Sequence, residues 1–338
     1  MERLRQQFKQ GRGHQNCRTC EFDEHIKGYS HRTWSFELAD RIGVDFSAEP
    51  KLMSQDVNLN NICNIKCRSC NQTSSTSWLT DAIALGEKSV GLRESGWYLS
   101  ATTAVNTQRL QFLGGEPTMH QERIVEALRQ IVAHGDISRL QLQMSSNMTH
   151  DLSDEMLLLL PLLREVKIDC SIDAFGQLND YIRSDSTWDR VSVVTKNLCD
   201  VCAKNDCVRA KVGSVLSVYN AHAMLDLLDW IDTELHPHIS KLSVMLCKNP
   251  SILNARNLPD AYKRGLIHEY ERRSGHYPQH QVVIKAITNH LSMPATMPLA
   301  VWVSMFSEYN DRLDMMRGTS LEMVNPELQA CIQGIANV

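Results

Sequence analysis

Apolar residues recur at every second position in several short stretches of this chain: Leu140, Leu142 and Met144, then Val166, Ile168, Cys170 and Ile172. That period belongs to strands with one covered face. On this basis strands are predicted over 56–62, 109–113, 139–146, 165–172, 209–218 and 241–247. Between them lie predicted helices over 75–85, 121–134, 153–160, 188–204 and 221–235. Ser153, with the apolar run from Met156 behind it, reads as a helix N-cap. Strands separated by helices need crossover connections, and these make a parallel sheet. Six such βα units in a row can curl into an α/β partial barrel, whose sites lie at the carboxyl ends of the strands. The chain divides on this reading into a polar extension over 1–54, the barrel over 55–248, and a helical, Met-rich tail over 249–338.

Composition adds exclusions. A formal charge of −4 over 338 residues makes no electrostatic case for nucleic acid or an anionic membrane. The longest apolar run, 156–163, is broken by Pro161 and is far too short to span a bilayer. The polar start of the chain does not read as a secretory signal. Eleven cysteines, an odd number, then suggest a reducing, cytoplasmic setting with metal or redox use, not a disulfide framework.

Three of the cysteines, Cys63, Cys67 and Cys70, form a C-x3-C-x2-C loop directly after the first predicted strand. Three thiolates on one short loop can hold three corners of a cubane iron–sulfur cluster and leave the fourth iron open. A zinc knuckle or three unrelated thiols are the alternatives. The second predicted strand runs into Gly114-Gly115-Glu116-Pro117. Its glycines permit a sharp turn and its proline fixes the next one. The loop carbonyls and the Glu116 carboxylate could accept hydrogen bonds from an ammonium group. The plainer reading is a glycine-rich turn before an amphipathic helix.

The two loops together resemble the signatures of the radical S-adenosylmethionine (radical SAM) enzymes. The resemblance implies a partial (β/α)6 barrel of the radical SAM type. It also implies a 4Fe-4S cluster on Cys63, Cys67 and Cys70, with SAM completing the open iron and its amino group on 114–117. A 5′-deoxyadenosyl radical would then abstract hydrogen from substrate, with electrons from a donor such as flavodoxin or ferredoxin. Ser146 and Asn147 resemble the polar strand end, often Thr-Asn-Gly, that meets the methionyl part of SAM. Ser171 and Asp173 resemble the Ser-hydrophobic-Asp motif near the ribose and carboxylate, and Arg183 of Tyr-Ile-Arg resembles a carboxylate-binding arginine. One departure is Ser69, where many members have an aromatic residue packed near adenine.

Cys17 and Cys20, followed by Glu21, Glu24, Gly28, Ser30 and Arg32, resemble half of a twitch segment, the truncated auxiliary-cluster module of some members. Read from the residues alone, they are two ligands of an auxiliary Fe–S cluster, or of a zinc site with His14, His25 or His31, or inert thiols. The tail residues Phe306, Tyr309, Leu313, Asp314 and Arg317 resemble closing segments of the same proteins, and its methionines read as core filling. No acid–base or nucleophile constellation stands out. The substrate itself is not written in the residues; members bearing such a segment often act on peptides or small carbohydrates, and of these a peptide is preferred. The rival function is a non-catalytic, zinc-stabilised binding protein.

Overall fold

A computed structural model describes residues 6–7, 10, 17–44 and 51–336. The chain forms two compact units, residues 1–52 and residues 53 onward. In the first, helix Arg18–Lys27 ends at Gly28, whose φ of +69° is the left-handed turn that glycine favours. Ser30 then caps helix His31–Arg41 through a reciprocal capping box with Thr33.

The second unit is built on six parallel strands: β1 (Ser54–Asn58), β3 (Arg109–Leu113), β4 (Gln141–Ser146), β5 (Glu165–Ser171), β7 (Val208–Leu216) and β8 (Leu242–Leu246). Their order in the sheet is their order in the chain, β1-β3-β4-β5-β7-β8. Sequential order without a reversal winds the chain one way round, as in a barrel; a doubly wound sheet has a switch point. The first and last strands do not pair, so the barrel is partial, as expected. Two short strands, β2 (Lys66–Cys67) and β6 (Arg183–Ser184), form a separate antiparallel ladder.

The alternation read from the sequence is the two faces of this sheet. Leu110, Phe112, Leu142, Met144, Val166, Ile168, Cys170 and Val212 join one buried cluster with Ile124, Leu128 and Ile131 of helix Gln121–His134 and Val194 and Leu198 of helix Trp188–Lys204. The other face is polar. Arg109 pairs with Asp56 at 2.6 Å, Gln141 donates to Glu165 at 2.7 Å, Lys167 meets Glu165 at 3.1 Å and Lys211 meets Asp169 at 3.5 Å. A parallel sheet covered by helices on both faces would show continuous apolar runs. The charged inner face is therefore why these strands alternate.

The first strand stops at Asn58, four residues short of the expected end. Asn60 Oδ1 accepts from the Ile62 N–H at 2.9 Å, an Asx turn that takes the chain out of the sheet. Cys63 thus follows a turn, not the strand itself. In the tail, Met297 packs against the core while Met293, Met305, Met315 and Met323 are exposed; Trp302, Val303, Phe306, Asn310 and Leu313 are the buried side chains of helix Leu299–Arg317. Among the described residues no helix is long and apolar enough to cross a membrane.

Candidate active site

At the carboxyl ends of β3, β4 and β5 lies a cavity of about 230 Å³ lined by both signature loops. Its walls include Cys63, Cys67 and Cys70, then Gly114, Gly115, Glu116 and Pro117, and beyond them Ser145, Ser146, Asn147, Ser171 and Arg183. Of the residues that the resemblance implies for the cluster or for SAM, only Asp173 is not in the wall. A larger cavity of about 450 Å³ lies beside Met144, Ile168, Val194 and Leu198, among side chains of the helix-covered face, and contains no cysteine.

The two loops are joined backbone to backbone. Gly115 N–H donates to the Asn60 carbonyl at 2.9 Å, and Glu116 N–H to the Ile62 carbonyl at 2.8 Å. A Cβ on Gly115 would stand 2.0 Å from the Ile62 oxygen, and Gly114 has a φ of +132°. The glycines therefore serve first to let the 114–117 loop lie flat on the segment leading into the cysteines. Glu116 serves as a brace. Its Oε1 accepts from Thr118 N and Oγ1 at 3.0 and 2.6 Å, and its Oε2 from Asn147 N at 2.7 Å. Both carboxylate oxygens thus have partners inside the protein.

The cysteine loop is held by its own carbonyls: Ser77 Oγ donates to Cys63 O at 2.7 Å and Trp78 Nε1 to Cys67 O at 2.8 Å. The short ladder places Cys67 opposite Arg183. Arg183 Nη1 donates to Asp173 Oδ2 at 2.9 Å, and Asp173 Oδ1 accepts from Val215 N at 2.8 Å. Burial opposes the arginine's charge, but the Cys67 sulfur, once it is a thiolate, and the Asp173 carboxylate outweigh it and hold the Arg183 pKa above its ordinary value. Asp173 is therefore the anchor of Arg183. Its removal leaves a buried guanidinium unpaired, a loss of about 3–5 kcal/mol. Asp173→Ala is expected to lower the urea midpoint accordingly; an unchanged midpoint would contradict this assignment.

Burial pushes all three thiols up, Cys67 to about 12. Arg183 partly offsets this at each sulfur. A coordinating metal deprotonates a thiol outright, so the donor set suits iron that brings its own charge. Among the described residues no three His, Cys, Asp or Glu side chains converge on a single ion; a cubane takes one thiolate per iron and needs no such convergence. Arg183 Nε, buried, has no partner among the described residues. Three free thiols beside an unused arginine N–H fit a cluster with an anionic ligand.

Residues that sequence reading passed over secure this arrangement. Arg68, inside the cysteine motif, is fully buried. It donates from Nε to Tyr181 O at 2.9 Å and from Nη1 to Asn310 Oδ1 at 3.1 Å, and it pairs with Asp314. Its guanidinium lies 3.7 Å over the Tyr181 ring. Arg317 donates to Asp81 at 2.8 Å and to Ser184 Oγ at 3.2 Å, beside the β2–β6 ladder. Only the tail's resemblance to closing segments hinted at Asp314 and Arg317.

In the N-terminal unit Cys17 and Cys20 lie at the start of helix Arg18–Lys27, both partly exposed. His14 lies outside the described residues. Glu24 is taken up by Ser30 and Arg32 through hydrogen bonds.

No known family matches the sequence, and no curated protein matches it. Among solved structures, the chain is similar to anSMEcpe with bound AdoMet and a Cp18Cys peptide, with a TM-score of 0.42, 17% identity, and coverage of 60% of this chain and 52% of that one. It is also similar to SuiB of Streptococcus suis bound to the precursor peptide SuiA, with a TM-score of 0.44, 12% identity, and coverage of 72% and 49%. A third is SuiB bound to S-adenosylmethionine, at 0.43, 13%, 68% and 49%. The chain spans about half the length of these structures.

Proposed function

We propose that this protein is a radical SAM enzyme. The observation that carries the reading is the convergence of the three-cysteine loop, the Gly-Gly-Glu-Pro loop, Ser146, Asn147, Ser171 and Arg183 on one cavity at the carboxyl edge of a parallel sheet. When bound, a 4Fe-4S cluster and S-adenosylmethionine supply one-electron reductive cleavage and a carbon radical for hydrogen abstraction. Cys63, Cys67 and Cys70 would hold the cluster. The loop 114–117, with its Glu116 carboxylate braced inside the protein, would orient the amino group. Arg183, held by Asp173, would present its unused N–H to the carboxylate. The polar inner face, with Ser145 in the cavity wall and Asp169 and Lys211 in register with it, suits a polar substrate, and within that class we prefer a peptide. Cys17 and Cys20 are proposed as ligands of an auxiliary centre.

Anaerobic reconstitution with iron and sulfide tests this. The chain is expected to show cubane absorption and to form 5′-deoxyadenosine from SAM and dithionite. Cys63→Ala, Cys67→Ala and Cys70→Ala together should abolish both; iron beyond one cubane should depend on Cys17 and Cys20. Stoichiometric zinc after oxygen-free purification, with no 5′-deoxyadenosine, would overturn the reading in favour of a zinc-stabilised binding protein.

A further inference from the structure

Asn147 is a fully committed side chain. Its Oδ1 accepts from Thr149 N at 3.1 Å and from Thr149 Oγ1 at 2.6 Å. A backbone N–H can only donate, so this contact fixes which end of the amide is oxygen. The NH2 group must then face the other way. One contact of Nδ2 is Asn64 Oδ1 at 2.9 Å, and the other is Cys63 Sγ at 3.8 Å. Its backbone N–H is held by Glu116. All the polar atoms of the side chain have partners inside the protein, and one of them is a sulfur.

The contact at Cys63 differs in kind from that at Cys70. Cys70 Sγ donates its own hydrogen to the Asn71 carbonyl at 3.6 Å, a bond that disappears when the thiol becomes a metal-bound thiolate. Cys63 Sγ accepts from Asn147, and an accepted bond strengthens as the sulfur becomes more negative. Backbone N–H groups bear on both sulfurs, Ile65 on Cys63 and Asn71 on Cys70; the Asn147 amide is the side-chain donor that distinguishes Cys63. The donor is held in place by a chain of contacts. Glu116 of the glycine loop braces the Asn147 backbone, and Thr149 braces its amide.

We propose that Asn147 is a positioning residue for electron entry: its amide donates to the Cys63 sulfur and raises the reduction potential of a cluster held there. Hydrogen bonds to ligand sulfurs are among the determinants of Fe–S potential. A donor stabilises the reduced, more negative cluster more than the oxidised one, so removing it makes reduction harder. The proposal rests on the radical SAM reading and reassigns Asn147 from SAM contact to cluster contact.

The test is a redox titration of the reconstituted full chain, followed by EPR, without SAM. Asn147→Ala is expected to lower the equilibrium constant for one-electron reduction about tenfold, equivalent to about 59 mV. Asn147→Asp keeps an acceptor for Thr149 but has no N–H, and should fall at least as far; it serves if the alanine variant does not fold. Pulsed EPR of wild type carrying 15N-asparagine should show a nitrogen coupling to the reduced cluster that the Asn147→Ala variant lacks. Reduction equilibrium constants within a factor of two of wild type, or no such coupling, overturn the proposal. An unchanged potential with weakened SAM binding also overturns it and returns Asn147 to the cofactor. A wild-type chain that seats no cluster would instead defeat the radical SAM reading itself.

Discussion

Gly115→Ala is expected to pull the two loops of the site apart. The new methyl would sit 2.0 Å from the Ile62 carbonyl oxygen and 2.4 Å from its carbon. These are backbone atoms, so no side-chain rotation relieves the clash. Relief requires breaking the Gly115–Asn60 and Glu116–Ile62 hydrogen bonds. Two lost bonds at about 1 kcal/mol each, with about 1–3 kcal/mol of overpacking, put the loss at about 3–5 kcal/mol. Gly213 is the control. Its nearest neighbour to an added Cβ is Cys170 O at 3.9 Å, and alanine there should change stability by less than about 1 kcal/mol. Urea unfolding and SAM-binding calorimetry of both variants provide the comparison. If Gly115→Ala matched Gly213→Ala in midpoint and affinity, the loops would not be locked as described.

Arg68→Ala is expected to be comparably severe. Burial alone works against this cation, but Tyr219, Tyr181 and Asp314 outweigh it and keep its pKa above the ordinary value. The charge is thus satisfied where it lies, and its removal orphans the partners. Asp314 loses its cation, and the Tyr181 carbonyl and Asn310 lose a donor. Removing one member of a buried pair costs about 3–5 kcal/mol, a large share of the roughly 5–15 kcal/mol that holds a domain together. Arg68→Lys should recover little, since one ammonium cannot serve three directions or stack on Tyr181. Denaturation midpoints and iron retained after desalting measure the effect; wild-type values for both would refute the assignment.

The sheet was legible because its inner face is charged. Had helices covered both faces, the runs at 139–146 and 165–172 would have been continuously apolar, and no period would have marked them. The meeting of the cysteine and glycine loops was legible from topology, since consecutive parallel strands put their carboxyl ends side by side. The end of the first strand was not, because Asn60 leaves the sheet through its own side chain within an otherwise strand-like run. Arg68 was invisible for a different reason. Within C-x3-C-x2-C it is an unspecified position, and its partner Asp314 is 246 residues away. The motif offers Glu116 as a ligand for an ammonium group, whereas its role as a brace depends on the Asn147 N–H that only the fold brings to it.

The distance between Arg68 and Thr319, 251 residues joined by a 2.8 Å hydrogen bond, also sets an order of events during synthesis. At about 5–20 residues per second, a ribosome needs about 12–50 s between the two. The cysteines leave the tunnel well before the last piece of their scaffold is translated. On the radical SAM reading, iron reaching the nascent chain before Thr319 is in place would meet thiols without this floor, so seating of the proposed cluster belongs after residue 319 has joined the fold.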